Sequence, residues 1–72
     1  MFFKLNFEQY VPVQHLLTED YYAFLVTDNK DFDAASDTDL YVCYPVLSDG
    51  EINTQLTFRY PKKELQIIYI PL

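Results

Sequence analysis

The side chains of this chain that could do chemistry are few. There is one cysteine, Cys43, one histidine, His15, and two serines, Ser36 and Ser48, beside eleven acids. A nucleophile–base pair would have to join Cys43 or a serine to His15. Cys43 stands between Val42 and Tyr44, the setting of a small buried hydrophobe. His15 precedes Leu16 and Leu17, the setting of a packed or surface histidine. A catalytic site needs more named parts than these, so the expectation is a protein that is not an enzyme. The single glycine, Gly50, excludes both G-x-x-x-x-G-K-[ST] and G-x-G-x-x-G. One Cys and one His do not supply the three or four ligands of a zinc site. Asp31-x-Asp33 and Asp37-x-Asp39 look like fragments of a calcium loop. The EF-hand pattern fails, because Ala35 takes an acidic place and Ser36 the glycine. No metal and no cofactor are expected.

The acids carry the functional expectation. The net charge is −6, and residues 28–39 hold five Asp against Lys30. Residues 40–72 balance three acids with three bases. An acidic surface repels nucleic acid and attracts basic partners. Arg59, Lys62 and Lys63 alone make a poor phosphate-binding surface, so direct nucleic-acid binding is not expected. The candidate partner-binding residues are Asp28, Asp31, Asp33, Asp37 and Asp39, with Glu19 and Asp20. Tyr21, Tyr22 and Tyr41 flank that loop, and tyrosine is enriched at protein interfaces. In an extended segment, Asp31/Asp33 and Asp37/Asp39 would set same-side carboxylates about 6.6 Å apart. Such a row could stand in for successive phosphates. The expected function is therefore non-catalytic: an acidic module that binds a protein with a basic surface, in its concrete form a nucleic-acid-mimicking inhibitor. In general composition only, the chain resembles small phage-encoded inhibitors of host enzymes. The alternative is a structural or assembly subunit that self-associates, as a homodimer, through a sheet edge.

Seventy-two residues make one domain, 1–72. So short a chain buries only about 60% of its unfolded surface. Seven Tyr and six Phe offset this, since each buried aromatic removes about 150–250 Å² from water. One cysteine allows no internal disulfide. No apolar run suits a signal peptide or approaches the ~20 residues of a membrane span. A soluble, cytoplasmic protein without membrane contact is the expectation.

The elements that must position these residues read as mainly β. The expected fold is a small antiparallel sheet of about four to five strands with a C-terminal three-stranded meander over 40–70. Residues 52–60, I-N-T-Q-L-T-F-R-Y, alternate without a fault. They are expected as the middle strand, with Leu56 and Phe58 in the core. Residues 40–47 are apolar on both faces, and Pro45 marks them as an edge strand or a bulge. Asp49-Gly50 is a hairpin turn. Residues 2–7 and 65–70 read as the outer strands. Residues 28–39 form a loop. Within 12–27 the chain reads two ways. Pro12 and the Thr18-Glu19-Asp20 cap suggest one short helix, an α+β alternative, while Y-Y-A-F-L-V-T favours a strand.

Overall fold

The computed structural model describes residues 2–4, 8–27 and 32–68. It is mainly β, with antiparallel strands. These are β1 (Phe2–Lys4), β2 (Tyr10–His15), β3 (Tyr21–Leu25), β4 (Leu40–Pro45), β5 (Glu51–Asn53), β6 (Phe58–Pro61) and β7 (Leu65–Ile67). A single 3-10 turn, η1 (Lys62–Glu64), links β6 to β7. Five strands form one curled sheet in the order β6-β4-β3-β2-β7, and β1 pairs with β5 in a separate two-stranded ribbon. The edge strands β6 and β7 are consecutive in the chain with only η1 between them. Three residues can join opposite edges only because the sheet curls back on itself.

The segment that could be helix or strand is strand. Tyr21–Leu25 is the middle strand of five, paired with β2 on one side and β4 on the other. Thr18 caps no helix. Its hydroxyl accepts the Asp20 N–H at 3.3 Å inside the β2–β3 hairpin loop. Pro12 sits in β2 between two partners, where a missing donor is normally costly. Its carbonyl accepts the Ile68 N–H at 3.1 Å, so its ring nitrogen faces the same side, just beyond the β2–β7 ladder, which runs from Val13 to His15. The β3 side therefore loses no donor.

Residues 52–60 are not one strand. β5 ends at Asn53, and the chain turns at Thr54 and Gln55 before β6 begins. The Gln55 N–H donates to the Asn53 side-chain oxygen at 3.0 Å. An Asn that captures the backbone two residues on makes a turn, and here it overrides a perfect alternation. Leu56 is accordingly 51% exposed and Phe58 36%, so neither is the core residue that the alternation predicts. β4 is not an edge either. It lies between β3 and β6, with Pro45 at its last position, where the ladder is ending. Within 40–70, β4 does pair with β6, but β7 crosses to the far edge beside β2. The Asp49-Gly50 turn forms as expected. Gly50 has φ +87, and the Glu51 N–H donates to the Asp49 carboxylate at 3.0 Å.

The concave face of the sheet holds the core: Val13, Tyr22, Phe24, Tyr41, Cys43 and Leu65. Phe32 and Ala35 pack against it from the acidic loop. Phe32 lies 5.9 Å from Phe24 and 5.2 Å from Tyr41, centroid to centroid. The loop is thus anchored by its one large apolar residue.

Candidate functional site

Three backbone hydrogen bonds organise the acidic surface around η1. Lys62 N–H donates to the Asp39 carbonyl at 2.9 Å, and Lys63 N–H to the Asp37 carbonyl at 3.1 Å. On the other side, the Leu16 N–H donates to the Glu64 carbonyl at 2.8 Å. One short turn therefore ties the acidic loop to the tip of the β2–β3 hairpin. Glu19 and Asp20 come from the tip, Asp33, Asp37 and Asp39 from the loop, and Glu64 from η1 itself. Among the described residues, six carboxylates and two lysines are gathered there. Glu19, Asp20, Asp33, Asp37 and Asp39 are all exposed.

Lys62 serves the loop rather than the surface. Its Nζ donates to the carbonyls of Asp33 at 3.2 Å and Ala35 at 2.9 Å, and it lies 5.4 Å from the centre of the Phe32 ring. A cation on an aromatic face with two carbonyl acceptors is well satisfied. The loop owes its shape to this clamp and to turns. Asp39 N–H donates to the Ser36 carbonyl, and Ser36 N–H donates back to the Asp39 carboxylate, both at 3.0 Å.

The hairpin tip is fixed by His15, which is 3% exposed. Its Nε2 lies 2.9 Å from Glu64 Oε1, and its Nδ1 lies 2.9 Å from Thr18 Oγ1. The Thr18 N–H also points at Nδ1, at 3.4 Å. These contacts assign the tautomer: Nε2–H donates to the carboxylate, and Nδ1 accepts from Thr18. The ring stacks on Tyr60 at 3.7 Å and 21°. Tyr22 stands edge-on to both rings, with its hydroxyl 3.2 Å from that of Tyr60. Burial pushes the Tyr60 hydroxyl up to about 12, helped by the hydrogen bond to Tyr22 and then by the charges of Tyr22, Cys43 and Asp20. Thr18–His15–Glu64 has the connectivity of a nucleophile, a base and a carboxylate. Thr18 Oγ1, however, is held within the turn, so the chain of bonds locks the loop. Glu19 completes the lock in a left-handed conformation, φ 64, while the Gln14 side chain donates to its carbonyl at 3.1 Å.

The residues expected to bind a partner divide accordingly. Glu19, Asp20, Asp33, Asp37 and Asp39 come together about η1, and Tyr21 is 51% exposed. Tyr22 and Tyr41 do not join them: at 5% and 2% exposure they are core, because both point into the concave face. Asp28 and Asp31 lie outside the described residues. The regular carboxylate row is not formed at Asp37 and Asp39, because Asp37 sits in a turn and the Asp39 carboxylate caps Ser36. Cys43 is fully buried, and burial pushes its thiol up to about 12.

The sequence gives Thr18, Tyr60, Lys62 and Glu64 no part in such a site. Only the strand register brings Glu64 to His15, across forty-nine positions. Among the described residues, no helix is long and apolar enough to cross a membrane. Comparison of the chain with family models, curated proteins and solved structures returns no match.

Proposed function

We propose that this protein is a non-catalytic binding module whose acidic face, centred on η1, takes a protein with a basic surface. The observation that supports this reading is the convergence of acids far apart in sequence on one short turn. Among the described residues, no basic side chain pairs with Glu19, Asp20 or Asp37, so their charge is available to a partner. The hairpin tip that presents two of them is held by a network of backbone and side-chain hydrogen bonds before any partner arrives. A rigid surface loses less entropy on binding. A protein whose basic surface serves a polyanion would be blocked by such a face, which makes the module an inhibitor by competition. The carboxylates are offered as a cluster about a turn, not as a ladder in phosphate register.

The test is an NMR titration with oligolysine at low salt. The reading expects shift changes confined to residues 16–20, 33–39 and 62–64, fading as salt rises. Changes of equal size at the Asp49–Glu51 turn, which also carries two acids, would contradict it.

A further inference from the structure

We propose that Phe58 and Tyr60 form a platform on which an arginine side chain of the basic partner stacks. The inference rests on the basic-partner reading and adds the group that is recognised. The two rings lie 5.9 Å apart with planes only 6° from parallel. His15 continues the row behind Tyr60, and Tyr22 stands edge-on to Phe58 at 5.3 Å and 63°. Tyr22 and His15 are buried, so the row is backed by fixed side chains. Phe58 ends it in solvent, 36% exposed at an edge of the sheet.

An exposed aromatic face attracts a cation through its quadrupole. Arg59 alternates to the opposite face of β6, and two acids lie on the side of the row. The Asp20 carbonyl accepts the His15 N–H at 2.9 Å, and Glu64 is held on the His15 ring at the inner end of the row. The chain already holds one of its own cations in this manner, with Lys62 over Phe32. A guanidinium suits a flat platform better than an ammonium, because it is planar and weakly hydrated. The other candidate to cover Phe58 is a second copy of this chain, aided by the exposed Leu56. A net charge of −6 on each copy opposes that approach and favours a basic occupant.

The experiment compares three peptides of equal length, built on arginine, on lysine and on neutral citrulline. Each is titrated against the wild-type chain, Phe58→Leu, Phe58→Tyr and Asp20→Asn, after thermal melts show that every variant is folded. Phe58→Leu should weaken the arginine peptide about two- to five-fold and the lysine peptide by less. Phe58→Tyr should restore arginine binding, and Asp20→Asn should weaken both cationic peptides. If Phe58→Leu binds arginine as the wild type does while Asp20→Asn still weakens it, the platform is refuted and the acidic face survives. If wild type prefers neither cationic peptide over citrulline, both readings fall. If the wild type is a dimer that Phe58→Leu dissociates, the platform covers a second copy and the arginine assignment is overturned.

Discussion

A histidine closed inside a protein needs a partner at each ring nitrogen. His15 has Thr18 at one and Glu64 at the other. Hydrogen bonds to charged groups are worth about 1.5–3 kcal/mol. Glu64 is 26% exposed, so solvent screening lowers the figure to about 1 kcal/mol. Glu64→Ala should cost that amount in chemical denaturation and should speed amide exchange at Leu16 and Thr18. An unchanged exchange pattern would mean that the carboxylate does not hold the hairpin. Cys43 gives a second check at this scale. Its thiol ordinarily titrates at 9.0 and is pushed up to about 12, as is Tyr60 from 10.0. Both groups keep their protons in the folded state at pH values where the unfolded chain loses them. Their contribution is full below pH 9 and is lost as pH rises through about 12. Stability should therefore fall across that window, and Cys43→Ala should flatten the start of the fall. The thiol should also resist alkylation at neutral pH until the protein unfolds.

At the scale of elements, the hairpin tip and the break after Asn53 do most to shape the surface. Glu19 adopts φ 64, a region that costs most L-residues roughly 1–2 kcal/mol. Glu19→Asn should be tolerated and Glu19→Val should lower the melting temperature, because a β-branched residue fits that region worst. Phe24, 2% exposed, and Phe58, 36% exposed, make a paired test of the strand placement. Phe24→Ala should cost about 3–5 kcal/mol, and Phe58→Ala clearly less. Equal losses, read from denaturant midpoints, would return Phe58 to the core. The sequence made the β class, the Asp49-Gly50 turn and the described part of the acidic loop, 32–39, legible, since composition and turn chemistry act locally. It left 18–27 open, because a helix cap and strand-forming residues compete there until β2 and β4 flank the segment. It hid the break in 52–60, because alternation is blind to one Asn side chain that bonds the backbone. The clasp from His15 to Glu64 was out of reach, since the curl that joins them is a property of the whole sheet.

For the whole molecule, charge is the long-range term. Curling brings β6 and β7 to one turn, and that turn collects the loop and the hairpin tip on its two sides. The result is a lopsided field on a chain of net charge −6. Such a field speeds encounter with a basic partner and weakens with salt, whereas total charge alone does not select a face. Two double variants of equal net charge separate these effects. One is Asp20→Asn with Asp37→Asn, on either side of η1. The other is Asp49→Asn with Glu51→Gln, at the Asp49-Gly50 turn. Surface changes of this kind should leave each fold within about 0.5 kcal/mol of wild type. The direct measurement is the affinity of each variant for oligolysine at low and at physiological salt. The Asp20/Asp37 pair should lose most of the salt-sensitive binding, and the Asp49/Glu51 pair should retain it. Equal losses in the two variants would contradict an acidic face centred on η1.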